Sequence, residues 1–314
     1  MEPPLYRLDW LTFAGQGVTD SLGVQWILME EQGFWDAPDV RSDLVERVNA
    51  HGAYVGPAYK QERVITLRGR FYSHDPRQMR AAWARITGMG ADPTEFLSLS
   101  CDTEIGTMAS DVRLDGKVET KPLQLLNVHG VEFSMNLVAP DPRKYSDQWH
   151  TMRAELPQAN VGDGLDFAVA TGGGFGPTYR GLVHPLTFGT SNSTGFLQLT
   201  NGGTAPTCPV YTLTGPLTTP TLTATTGTTT AQMRYNGSLD AGQSIVINPA
   251  VPSVLLGGTA SRRHLLNPAN FQGFFIPAAD NATGTEGVLN VGLTHAGAVT
   301  TGGYATARFR DAWF

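Results

Sequence analysis

The chain has 314 residues, two cysteines and a net charge of −6, with 41% apolar and 16% charged residues, enough material for about two domains with cores of their own. Lysine and arginine form no concentrated cluster, which argues against binding through a phosphate backbone. The longest apolar runs, such as Val254–Leu256 and Phe274–Ile276, are far too short to cross a bilayer as a helix.

The opening MEPPLYRLDW has no basic segment followed by an apolar core, so the chain reads as soluble and not signal-exported. Cys101 and Cys208 lie 107 positions apart without a CxxC and read as reduced, small apolar residues. Charge is uneven: residues 1–155 carry 16 Lys+Arg and 22 Asp+Glu, whereas residues 156–314 carry 6 of each.

In chain order, Glu30-Glu31 reads as a solvated turn. The segment DVRSDLVERVNAHGAYVG, residues 39–56, has Val40, Leu44, Val45 and Val48 at helical spacing, but the flanking Gly52 and Gly56 favour a long loop or β-arm. RVITLRGRF, residues 63–71, has the near-alternation of a half-buried strand. Next comes the one convincing helix. Asp75 stands at the N-cap, Pro76 at the first helical position and Gln78 at capping-box spacing, with Met79, Ala82, Trp83 and Ile86 as one apolar stripe and Gly88 as the stop. DVRLDGKVET then predicts a hairpin turning at Asp115-Gly116. VEFSMNLV, residues 131–138, alternates strictly, with Val131, Phe133, Met135 and Leu137 on the core face. The ladder must stop at APDP, Ala139, Pro140, Asp141 and Pro142, because each proline removes a donor and forces its predecessor to be extended.

TGGGFG, residues 171–176, lacks the helix that a phosphate loop needs and reads as an interdomain loop. From about residue 180 the pattern is many short strands and turns, which suggests a β-sandwich or jelly roll. The threonine-rich GPLTTPTLTATTGTTTAQ carries Leu217, Leu222 and Met233 among β-branched residues and reads as exposed strand and turn. GFFIPAADN reads as a strand closed by a turn. In the final YATARFRDAWF, Ala305, Ala307, Phe309 and Trp313 share one face.

No catalytic, cofactor or metal constellation emerges. The seven histidines include no HxxxH, and GxSxG and GxxxxGK[ST] are absent. Asp102 and Glu104 have the look of a glycosidase pair only because any β protein of this size offers such neighbours. The sequons at Asn192, Asn236 and Asn281 carry no meaning in a chain that is not secreted. Function is therefore expected from surfaces and assembly rather than from an enzyme site.

Several blocks, in this order, carry a resemblance: HGAYVGPAYKQERVITLRGRF, MNLVAPDPRKYS, LTNGGTAPTCPVYTLTGP, LDAGQSIVINP with GGTASRRHLL, GFFIPAADN, and the terminal RFRDAWF. Together they resemble the distal tail proteins of long-tailed, non-contractile bacteriophages, and they cover most of the chain outside about residues 146–195. The resemblance implies a mainly β protein. Residues 1–145 would be a ring-forming, tail-tube-like β-sandwich with one flanking helix, 146–180 a linker beginning after the APDP boundary, and 181–314 an outer jelly-roll, galectin-like module. It implies a homohexamer at the virion's tail tip, assembled in the host cytoplasm. The tail tube protein would lie on one face, and the tail hub or tail-associated protein with the tape-measure end on the other. Receptor-binding protein or side fibres would sit at the periphery. DNA would pass the lumen without specific binding, which a net negative ring favours, and nothing inserts in a membrane. The competing reading is a host-surface glycan-binding tail protein, for which Tyr304 and Trp313 are the candidate stacking residues.

Overall fold

The computed structural model describes residues 4–104, 106–125, 128–157, 195–298 and 302–314. The glycine-rich 171–176 segment, the expected linker from residue 158 onward, and Asn192 lie outside them. The chain divides into two compact units: Met1–Gln148, Gly203–Ala205 and Arg310–Phe314 form unit 1, and Trp149–Gly202 with Pro206–Phe309 form unit 2.

Unit 1 opens with β1 (Leu5–Leu8), β2 (Leu11–Ala14), β3 (Val18–Thr19) and β4 (Gln25–Gln32), followed by β5 (Val40–Glu46) and β6 (Ala53–Lys60). It continues with β7 (Arg63–Ser73), α1 (Pro76–Thr87), β8 (Leu97–Thr103), β9 (Gly106–Leu125), β10 (Val128–Ala139) and β11 (Lys144–Ser146). Where the resemblance implies a sandwich, seven strands close on themselves in the order β10-β7-β4-β2-β1-β8-β9, because β10 pairs with β7 on one side and with β9 on the other. Closure removes the open edges a sandwich would keep. The inward parity is the one the sequence shows: Ile65, Leu67 and Phe71 of β7 and Val131, Phe133, Met135 and Leu137 of β10 are buried with Trp26 and Phe13 in one core.

Local chemistry explains the helix. Asp75 accepts the Arg77 amide at 2.8 Å as N-cap. Gln78 does not reach back to close a capping box. It accepts the Ser73 hydroxyl at 2.9 Å, and Ser73 accepts the Asp75 amide instead. Met79, Ala82 and Ile86 are buried, while Trp83 is half-buried and donates its indole N–H to Thr120 at 3.0 Å.

Two local expectations change, and the loop or β-arm reading of residues 39–56 resolves to the arm. Asp115-Gly116 does not turn a hairpin; β9 runs straight through, and its register against β10 slips between Asp115↔Asn136 and Glu119↔Ser134, with Gly116 at φ +82°. The positive φ that a hairpin turn needs serves a bulge equally well. Residues 39–56 form no helix: β5 and β6 pair as a two-stranded arm. Glu30-Glu31 lies inside β4 rather than in a turn. A bulge between Leu28 and Glu30 reverses the strand's parity, so that Glu30 faces out opposite Arg68 while Glu31 faces in opposite Leu67.

Unit 2 begins with β12 (His150–Glu155), β13 (Phe196–Asn201), β14 (Val210–Thr214), β15 (Leu217–Thr218), β16 (Thr221–Thr226), β17 (Thr229–Tyr235) and β18 (Ser238–Leu239). Then come β19 (Ser244–Asn248), β20 (Ser253–Leu256), β21 (Ala260–Ser261), β22 (Leu266–Ala269), β23 (Gly287–Thr294) and β24 (Tyr304–Phe309). One sheet runs β12-β24-β14-β19-β20-β21, a second β13-β23-β16-β17-β22, and β15 pairs with β18. Leu213, Ile245 and Ala305 of the first sheet share a core with Leu199, Leu222 and Leu289 of the second. In the threonine-rich run the apolar Leu217, Leu222 and Met233 are buried as the alternation requires. GFFIPAADN is not a strand: Phe271–Phe274 is a 3-10 turn, and only Ile276 bridges to Thr207. It buries Phe274 and Ile276 completely, which a turn achieves as well as a strand.

The chain's last residues divide. Ala305, Ala307 and Phe309 enter the core of unit 2 as expected. Trp313 does not. β25 (Ala312–Trp313) pairs with β11 in unit 1, Lys144↔Trp313 and Tyr145↔Ala312, and Trp313 packs on the barrel core. The Ala312 carbonyl accepts the Ala205 amide at 2.9 Å, tying Gly203–Ala205 to the same place.

Candidate functional site

Two features of unit 1 concentrate chemistry that a simple core does not need. The first is a buried polar cluster at one end of the barrel. Arg63 shares the inward parity of Ile65 and Leu67 and is 2% exposed. Its Nη1 donates to the carbonyls of Gly33 (2.7 Å), Phe34 (3.1 Å) and Asp36, and its Nε donates to Pro142 O at 3.1 Å. Lys144, 3% exposed, donates to Phe34 O at 3.0 Å and lies over the Phe34 and Trp35 rings. Glu31 accepts the Phe34 amide at 2.6 Å and the Tyr6 hydroxyl at 3.3 Å, and Tyr6 in turn accepts the Trp35 indole N–H at 2.8 Å.

Burial governs the protonation of this cluster. It raises the Glu31 carboxyl, pushes the Cys101 thiol up to about 11 and holds the Tyr6 phenol well above its ordinary value. It lowers the Arg63 guanidinium and, helped by the Arg63 charge, brings Lys144 down to about 8. Two cations thus hold the 33–36 loop against the chain around Pro142 with backbone carbonyls as their direct acceptors. The arrangement fixes the course of the chain at this end of the barrel.

The second feature is the arm. Every residue of β5 is exposed, and so are Leu44 (63%), Val45 (63%), Val48 (95%), Tyr54 (63%) and Val55 (76%). The arm is closed at its base by the Gln61 amide on Asp39 O at 2.8 Å. A lone two-stranded hairpin is at best marginally stable in water, and exposed apolar side chains on both faces of one make the arm a candidate contact surface.

The residues singled out in sequence fall as follows. Ala139 is buried at the end of β10 and Pro140 is exposed. Asp141 accepts the Arg143 amide at 3.1 Å and the Tyr145 hydroxyl at 2.7 Å, while Pro142 supplies the carbonyl held by Arg63. APDP therefore ends β10, but the chain returns at once to the same sheet as β11, between β9 and β25. Tyr304 lies under the Arg153 guanidinium at 3.7 Å, and Trp313 is half-buried and packs on the barrel core of unit 1. Asp102 is engaged by Arg7 at 2.6 Å and by Thr107 at 2.7 Å. Among the described residues no group of three or more His, Cys, Asp or Glu could hold a metal. An open cleft of about 550 Å³ at the β9 bulge mixes Lys117 and Lys121 with Glu119 and Glu132 without a convergent set. Sequence reasoning missed Arg63, Lys144 and Glu31. For Arg63 strand parity was the available signal; for Glu31 the bulge concealed it.

No protein family matches the sequence, and no curated protein does. Among solved structures, the Dit protein of phage SPP1, a paradigm of the hub adsorption apparatus in phages infecting Gram-positive bacteria, shares the fold. The TM-score is 0.59 at 8% identity, over 99% of each chain. Chains of the phage P2 baseplate in its activated conformation match more loosely, at TM-scores of 0.49 and 0.47 and 10% identity.

Proposed function

We propose that this chain is a distal tail protein: a structural, non-enzymatic component of the tail tip of a long-tailed, non-contractile phage, six copies of which close into a ring. The observation that carries the reading is the correspondence of the entire chain, both units included, with the fold of the SPP1 Dit protein. In this reading unit 1 is the ring-forming, tail-tube-like domain. The β5–β6 arm, apolar on both faces, is the contact to the next subunit, and burial of its valines and tyrosines supplies the driving force for closure. One face of the ring meets the tail tube and the other meets the hub and tape-measure end. Receptor-binding parts or side fibres attach at the periphery, and DNA passes a lumen whose net negative surroundings do not retain it.

Unit 2 is then the outer, jelly-roll, galectin-like module. A second role, contact with host-surface glycan, rests on a sheet face of that module that is nearly free of charge. Native mass spectrometry with negative-stain imaging of the purified chain tests the main reading: six-fold rings are expected. A stable monomer at micromolar concentration, or a ring of another order, would overturn it.

A further inference from the structure

The outward face of the β13-β23-β16-β17-β22 sheet is polar but nearly uncharged. The five strands contain 31 residues, counting both faces, and a single one of them is charged, Arg234, in a part of the chain that is itself poor in charge, with 6 Lys+Arg and 6 Asp+Glu over residues 156–314. Arg234 is also occupied, donating to Asn236 Oδ1 at 3.0 Å. Threonine at every second position of β16 would be unremarkable alone, since β-branched residues favour strands. The register makes it more than that. Gln198, Asn290 and Thr225 stand side by side in one row, and Phe196, Gly292, Thr223 and Gln232 in the next. Neighbouring strands are about 4.8 Å apart, so the rows bring hydroxyl and amide side chains close together around Phe196 and Gly292.

Phe196 completes this cluster. It is 64% exposed, and its ring lies over Gly292, where an added Cβ would come within 3.0 Å of Cε1 and 3.4 Å of Cδ1. A glycine in mid-strand normally weakens a sheet; here it seats an aromatic ring against the backbone and leaves the rest of the ring exposed to solvent. An apolar platform beside uncharged donors and acceptors complements a pyranose ring, which presents an apolar C–H face and a rim of hydroxyls. An acidic polymer would need cations that the face lacks.

We infer that this sheet face binds a neutral polysaccharide of the host envelope, with Phe196 as the stacking residue and Gln198, Asn290, Thr223 and Gln232 as the hydrogen-bonding groups. The inference rests on the tail-protein reading for the source of the glycan, but not for the chemistry of the face. Tyr304 in β24 and Trp313 in β25 belong to other sheets and are not part of the site inferred here.

Saturation-transfer NMR on the purified full chain tests it with maltohexaose, cellohexaose, chitohexaose and a rhamnan oligomer as neutral probes, and polyglycerol phosphate as the charged one. At least one neutral oligomer is expected to bind saturably. Phe196→Ala should weaken it about tenfold or more, the loss of roughly one aromatic contact, while Phe196→Tyr keeps it. Asn290→Asp, which places a carboxylate in the cluster without changing size, should weaken it as well and separates binding from any folding defect of Phe196→Ala. The inference fails if no neutral oligomer binds at millimolar concentration. It fails equally if binding ignores both Phe196→Ala and Asn290→Asp, or if only polyglycerol phosphate binds. The ring order seen by imaging is independent of all these outcomes, so failure here is distinguishable from failure of the tail-protein reading.

Discussion

Replacing Arg63 by methionine tests the clasp at the barrel end. The side chain fills similar space but removes every donor. Four carbonyls, those of Gly33, Phe34, Asp36 and Pro142, then lose a charged partner. At roughly 1–1.5 kcal/mol for each acceptor, the gross loss is about 4–6 kcal/mol. Part of this returns, because the wild type keeps a cation at 2% exposure whose burial already lowers its proton affinity, and removing a buried charge relieves its desolvation cost. The net expectation is about 2–4 kcal/mol of destabilisation confined to unit 1. For a unit of this size it corresponds to a fall of about 5–12 °C in melting temperature. Tryptophan fluorescence is the appropriate assay, since five of the six tryptophans, all but Trp149, lie in unit 1. Urea titrations followed at the indole emission should show an earlier midpoint at an unchanged slope. A midpoint within about 0.5 kcal/mol of wild type would refute the reasoning: the guanidinium's hydrogen bonds would then merely balance its desolvation, and the cluster would not clasp the loop.

Further consequences concern the same unit and its neighbours. Lys144 has a folded value of about 8 against 10.5 for the free side chain, so the unfolded chain binds more protons above pH 8 and unit 1 should gain about 1 kcal/mol between pH 8 and 9. The raised Cys101 thiol already acts in the opposite direction within that interval, and the raised Tyr6 and Tyr145 phenols do so at higher pH, so the gain belongs to Lys144 alone and the quantity to measure is wild type minus Lys144→Met from pH 8 to 9; a flat difference contradicts the burial argument. Trp26→Ala, at a fully buried ring stacked on Phe71, should cost about 4–5 kcal/mol. Trp83→Ala, half-buried on α1, should cost only about 2–3, and equal losses in denaturant titrations would mean that the helix stripe is as deep as the barrel core. Replacing residues 41–59 by a short Gly-Ser linker should leave the monomer's melting unchanged and abolish rings in negative stain, whereas intact rings would show that the arm is not the subunit contact. Removing 310–314 should destabilise unit 1 through the loss of β25 and Trp313. Removing 304–314 should also expose unit 2 to protease, because β24 sits between β12 and β14; an undigested unit 2 would deny β24 that place.

Residue periodicity alone determined much of this protein. The alternation of β7 and β10, the helix start at Asp75-Pro76, the stop at Pro140 and the burial of alternate residues in the threonine-rich strands are local consequences of side-chain direction and backbone sterics, and the fold keeps all of them. The order of soft sequence blocks likewise pointed to the hub-protein fold that the comparison of structures found. Tertiary structure decided what depends on partners distant in sequence. Closure of the barrel required β10 to find β9 and β7 at once. The bulge in β4 reversed the parity that would have left Glu31 outside, and the bulge in β9 absorbed an Asp-Gly that locally spells a turn. Trp313 shares the alternation of Phe309, yet β25 pairs with β11 and carries it to the barrel. The aromatic best placed for a ligand is Phe196, whose ring is seated by a glycine 96 positions away on the neighbouring strand. Periodicity fixes which side of a strand a residue faces; only strand pairing fixes what lies on that side.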